Sequence, residues 1–225
     1  MSVMSAVVQV HDDVMAALDD AGRKVLAAEG RKRDVWFVTG EDGQSLLKSV
    51  AAIRSKIVRE LAAARTEAPP TLDEVRRMVL AFHDLGRFRV VCTHASDVQA
   101  AIRELLGEPP RNRLLGKYPI AGEVKDYVHD LRLRKPKSGH RAWQFAAAVE
   151  SNDGPVFVEV QLMTLLQNAW DRRNHPVYEW TREGKDLPDR WIISDVALAE
   201  TLYLVDDQAA RNWAEFVAIC NGGAR

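Results

Sequence analysis

The sequence predicts an α/β protein, a mixed β-sheet flanked by helices, and three stretches carry that expectation. In VFVEVQLMT (156–164) the side chains alternate, with Val156, Val158, Val160 and Leu162 on one side and Phe157, Glu159 and Gln161 on the other. That is the pattern of a strand with one face in a core. In the second stretch Phe88, Val90 and Val91 stand next to Cys92, a short apolar run that reads as a buried strand. Between the two, DVQAAIRELLG (97–107) has helical periodicity, Asp97 as cap and Gly107 as stop. A helix between two strands implies α/β layering.

Taken in order, residues 3 to 28 place Val7, Val10, Val14, Leu18, Val25 and Leu26 at helical intervals and predict an amphipathic helix with a break near Gly22. DVWFVTG (34–40) is a strand or a packed connection. Gln44 to Ala64 returns to helical spacing, with Lys48, Arg54, Lys56 and Arg59 between the apolar positions. After Pro69 and Pro70, Thr71 and Glu74 form a capping box that starts a helix from Leu72 to Phe82. The segment Arg132 to Arg141, with Pro136 and Gly139, is a basic loop or hairpin, and Arg141 to Val149 leads back into the sheet. Ile193 to Val217 predicts two helices packed on the domain.

The chain has 225 residues and is 47% hydrophobic, enough to bury a core as one domain spanning 1–225. Lys plus Arg number 31 against 32 for Asp plus Glu, so no global field draws it to nucleic acid or membrane and any anion site must be local. MSVMSAVVQV has no basic leader and runs into His11, Asp12 and Asp13, unlike a signal peptide. Eighteen consecutive apolar residues occur nowhere, so no membrane partner is expected. Cys92 and Cys220 lack metal-ligand spacing and predict reduced thiols in a cytoplasmic protein.

A carboxylate is seldom buried alone, so Glu159 must meet a cation, an amide, a metal or a solvated edge. Asp84 stands just before the apolar run 88–92, and Arg89 lies inside it. By itself such an Asp is a turn residue. The cations of 48–59 form either a solvated face or a phosphate-gripping one. The basic loop is either solubilising or suited to an anionic ligand.

The order of these pieces resembles the synthetase domain of the RelA/SpoT family: cations on a helix, Asp84 before a strand with Arg89 five residues on, KDY (125–127), a Pro-Lys-x-Gly loop, then Glu159, Gln161 and Thr164 as Glu-x-Gln-x-x-Thr, followed by Trp170, His175 and Tyr178. The resemblance covers about 44–180. It implies a nucleotidyltransferase-like fold and a pyrophosphokinase that moves the β,γ-pyrophosphate of ATP to the 3′-hydroxyl of a nucleotide. Asp84 and Glu159 then match the catalytic acids that hold Mg2+. Lys48, Arg54 and Lys56 match cations on the ATP phosphates, and Arg89 matches the guanidinium that stacks on adenine. Lys125, His140, Gln144, Gln161 and Asn168 match the acceptor site.

The sequence departs from the family in three places: Leu46 replaces an Arg of the adenine clamp, His140 replaces the tyrosine that stacks on the acceptor base, and Gln144 replaces a histidine. The acceptor is therefore open between guanine and adenine nucleotides. Two alternatives stand beside an alarmone synthetase. One is the toxin of a toxin–antitoxin pair, with an antitoxin protein as partner, that makes an adenosine alarmone or modifies the tRNA 3′ end. The other is a binding module without turnover.

Overall fold

The computed structural model describes residues 1–30, 33–40, 46–64, 69–130, 133, 139–182 and 184–222. Its order is α1 (Val3–Glu29), β1 (Trp36–Gly40), α2 (Val50–Ala64), α3 (Leu72–Leu80), β2 (Gly86–Cys92), α4 (Ala95–Leu106), β3 (Arg113–Leu114), β4 (Tyr118–Pro119), β5 (Lys125–Asp126), β6 (Trp143–Ser151), β7 (Gly154–Thr164), α5 (Leu165–Arg182) and α6 (Asp189–Cys220). The main sheet runs β1-β2-β7-β6-β5, while β3 and β4 form a separate ribbon. Only β2 and β7 pair in parallel; every other neighbour in the sheet is antiparallel, so the sheet is mixed as expected.

Alternation in β7 decides how the layers stack. Val156, Val158, Val160 and Leu162 are fully buried, and across the strands Phe145, Ala147 and Val149 of β6 and Phe88, Val90 and Cys92 of β2 join them. α1 and α4 cover this face with Val7, Val10, Val14, Leu18, Ala101, Ile102 and Leu105. Burying each of these Val, Leu and Ile side chains contributes about 1.5–3 kcal/mol. α1 reaches the sheet because Gly86 has no side chain: a Cβ there would lie 2.6 Å from a methyl of Val7.

Several boundaries differ from the sequence reading. α1 is unbroken at Gly22, whose Cβ would press to 3.0 Å on the Trp36 ring, so this glycine serves packing against β1. The helix expected from Gln44 starts at Val50, with 44–45 outside the described residues; Leu47 instead bridges Gly86 as an extended segment. α3 stops at Leu80, and its Thr71–Glu74 capping box is present. Asp97 lies inside α4, two residues after its first, and accepts from the His94 N–H at 3.0 Å while Arg33 grips it twice at 2.8 Å. The two helices expected at the C-terminal end are one, α6, of 32 residues. It runs on past Asp206, whose side chain turns inward to Thr164. Cys92 is buried and Cys220 exposed, both free. Among the described residues no helix is long and apolar enough to cross a membrane.

Candidate active site

The second face of the sheet carries charge. Lys48 follows the Leu47 bridge, and its backbone N–H donates to Leu85 O at 3.0 Å, which fixes it beside the turn that holds Asp84. Its ammonium donates to Asp84 Oδ2, and Lys56 reaches down from α2 to Oδ1 at 2.6 Å. Lys48 is only 8% exposed, and Lys56 also lies 4.2 Å over the Phe82 ring, a cation on a π-face. Burial pushes the Asp84 carboxyl up, but the two ammoniums outweigh it and hold the group below the usual carboxylate range. Two cations against one carboxylate leave a surplus positive charge, the condition for gripping a phosphate. Arg54 is not part of this clasp. Two residues before Lys56 puts it about 200° around α2, and it is exposed.

Register builds the rest. Arg89 of β2 lies opposite Gln161 of β7, Gln161 opposite Gln144 of β6, and Gln144 opposite Lys125 of β5. Four of the residues singled out from sequence thus form one row across four strands, with Lys125 exposed at its end. Glu159 lies two residues along β7 on the same face. Its carboxylate accepts from the Gln144 amide at 2.5 Å and from the Gln161 amide at 2.9 Å. Gln144 therefore serves Glu159, a role its sequence position did not suggest.

Arg89 donates to Gln161 at 3.2 Å, to Asn168 of α5 at 3.1 Å, and to Asp171. The other oxygen of Asp171 meets His140 Nδ1 at 2.9 Å, and His140 packs edge-on against Tyr127 with ring centroids 5.6 Å apart. Burial raises the Asp171 carboxyl, and His140 and Arg89 together pull it below its ordinary range. Asp171 thus joins the residue expected on the donor base to the residue expected on the acceptor base. Sequence reasoning missed it. The available signal was a carboxylate three residues after Asn168, hence on the same helical face.

Next to His140, Gly139 is clamped: a Cβ there would stand 2.3 Å from Ala199 Cβ and 2.7 Å from the Trp170 ring. The basic side chains at 132, 134, 135 and 137, like Pro136, lie outside the described residues.

Asp84 and Glu159 offer hard oxygen donors. Among the described residues no three His, Cys, Asp or Glu gather as a self-sufficient metal cage. This donor set fits magnesium, which takes one or two carboxylates and completes its shell with water and substrate phosphates.

The geometry, a sheet face with acids, lysines and amides opposite a sealed apolar core, defines an α/β protein with a mixed sheet. Solved structures place the fold more narrowly. The chain is similar to small alarmone synthetase 1 of Bacillus subtilis bound to its product pppGpp (20% identity, TM-score 0.60, 95% of each chain covered) and to the same enzyme bound to AMPCPP (17%, 0.53, 93% of each). It is also similar to a GTP pyrophosphokinase family protein from Streptococcus pneumoniae (18%, 0.62, 97% of each). The protein has the fold of the small alarmone synthetases. No family profile and no curated relative matches the sequence.

Proposed function

We propose that the protein is a pyrophosphokinase that moves the β,γ-pyrophosphate of ATP to the 3′-hydroxyl of a guanine or adenine nucleotide. The observation that carries this reading is the clasp of Asp84 by Lys48 and Lys56, in the turn that leads into β2, the strand paired with the Glu159-bearing β7. Pyrophosphoryl transfer needs an attacking hydroxyl held in line and charge neutralised on phosphate oxygens, and positioning with electrostatics provides most of the catalysis. Lys48 and Lys56 exchange Asp84 for ATP phosphates. Asp84 and Glu159 would hold Mg2+, which would shield the phosphate charge. Gln144 and Gln161 keep Glu159 aimed, and Arg89 turns from Asp171 toward the adenine. Asn168, His140 and Lys125 face the acceptor.

The nucleotides named for the neighbours, pppGpp and an ATP analogue, agree in chemistry with such a donor and acceptor. The test is incubation with γ-labelled ATP and magnesium together with GDP, GTP, AMP, ADP or deacylated tRNA in separate reactions. Label on a mononucleotide supports the reading. Label on tRNA alone, or on nothing, overturns it.

A further inference from the structure

A second recess lies beyond the first turn of α5. It is a cavity of about 350 Å³ between the start of α4, the first residue of β6, the end of β7 and the middle of α6. Asp84, Glu159, Arg89 and His140 do not line it. Most of its wall is apolar, from Val98, Met163, Ala210 and Ala214, and into that wall are set Trp143, Gln167 and Asp206.

Two of these carry unmet hydrogen-bonding capacity. Gln167 is 4% exposed, and neither its carboxamide oxygen nor its nitrogen makes a hydrogen bond of good geometry. Its amide is near enough to Asp206 to favour charge on that carboxyl, which leaves the oxygen as the clearer orphan. The Trp143 indole N–H is likewise buried without an acceptor. A buried polar group without a partner forfeits the hydrogen bond it had in water, so a molecule meeting both gains what the protein forgoes.

The cationic side chains around the cavity are already matched. Arg141 is bonded to Glu200, Arg211 pairs with Asp207 at 2.6 Å, and His129 with Asp126 at 2.9 Å. Asp206 accepts from the Thr164 hydroxyl. Burial pushes its carboxyl above the ordinary carboxylate range, against the pull of Thr164 and Gln167. No surplus cation waits for an anion. Water would satisfy the two orphans but leave the apolar wall wet, whereas cavities of this size suit a small ligand with few polar groups.

We infer that this cavity is a second binding site, for a small uncharged aromatic molecule bearing a carboxamide or ring lactam, whose carbonyl accepts from Trp143 and whose N–H donates to Gln167. The site stands independently of the pyrophosphokinase reading. It touches the candidate active site through the backbone: Thr164 accepts from the Gln167 N–H at 3.3 Å, and Asn168 and Asp171 follow on the same helix.

The test uses the full chain labelled with 15N-tryptophan, and Trp143→Phe identifies the indole resonance of Trp143. Benzamide, benzoate and toluene are titrated in turn. Benzamide is expected to move that resonance with a Kd on the order of 1 mM or tighter, and benzoate and toluene to bind at least about tenfold more weakly. Gln167→Leu should remove the preference for benzamide over toluene, and Ala210→Phe should abolish binding of both by filling the space. Circular dichroism confirms that the variants fold, and if Ala210→Phe does not, Gln167→Leu decides. An unmoved Trp143 resonance, equal binding of benzoate, or a benzamide affinity that Gln167→Leu leaves unchanged would each overturn the proposal.

Discussion

The two faces of β7 are made by alternate residues of one strand, yet they do opposite work. On one, Val156, Val158, Val160 and Leu162 are sealed under α1 and α4, and each is interchangeable with any apolar group of its shape. On the other, Glu159 and Gln161 are only partly covered, and each side chain depends on a specific partner: Glu159 on Gln144 and Gln161, Gln161 on Arg89. The first face supplies stability without chemical identity. The second supplies identity and little stability, so substitutions should sort by face even when they are neighbours in sequence.

The sharpest way to break this contrast is a pair of adjacent changes. Val158→Glu, which buries an unpaired carboxylate, should lower stability by more than about 4 kcal/mol and leave little folded protein, as urea denaturation followed by circular dichroism would show. Glu159→Gln should shift the thermal midpoint by less than about 2 °C, yet reduce pyrophosphate transfer by at least about 1000-fold. Near-native transfer by Glu159→Gln would remove that residue from the active site.

The lysine clasp, Lys48 ahead of α2 and Lys56 on it, should separate from Arg54 of the same helix. Lys48→Ala and Lys56→Ala should each weaken binding of a non-hydrolysable ATP analogue by about 1–3 kcal/mol in calorimetry. Arg54→Ala, on another side of the helix, should cost less than about 0.5 kcal/mol. The sequence reading expects all three to be alike, so three equal losses would mean that α2 turns on binding ATP.

Asp171 and Asp206 sharpen the comparison through pH. The Asp171 carboxyl is depressed in the folded state, so its stabilisation is present above the ordinary carboxylate pKa of about 3.9 and is lost as pH falls through the lower folded value. Asp171→Asn should therefore be less stable than the wild type at pH 7 by about 1–2 kcal/mol, with the gap closing in strong acid. Asp206 is raised, which reverses the sign: its penalty grows as pH climbs through the ordinary carboxylate range toward the higher folded value. Asp206→Asn should raise the thermal midpoint at pH 7 by about 2 °C and lose that advantage in acid. Matching pH profiles for the two variants would contradict their assignment to different surroundings.

What could be read from the sequence was whatever depends on spacing within one element. The alternation of β7 that sets Glu159 beside a core, the Thr71–Glu74 box and the α4 pattern follow from local periodicity, while Asp84, by itself a turn residue, stands out only through the order of the pieces around it. What could not be read depends on partners. Nothing in residues 143–151 reveals that Gln144 lies opposite Gln161, because register is settled by the whole sheet. The same holds for Leu47, whose helical spacing yields to a bridge with Gly86, and for Asp206 of α6, whose inward turn to Thr164 only the fold reveals. Asp171 escaped notice because its importance lies in joining Arg89 to His140, two residues that meet only in three dimensions.

The clamp on Gly139 has a consequence for what counts as the working unit. With Ala199 and Trp170 both closer to its missing Cβ than any real contact allows, the downstream end of the basic segment is moulded against α6, a helix outside the stretch 44–180 that carries the family resemblance. That helix acts as a mould wall, and the shape it imposes is felt one residue away at His140. Enlarging Ala199 by a single methylene would press on Gly139 and, through it, on His140 from behind, with neither residue itself altered.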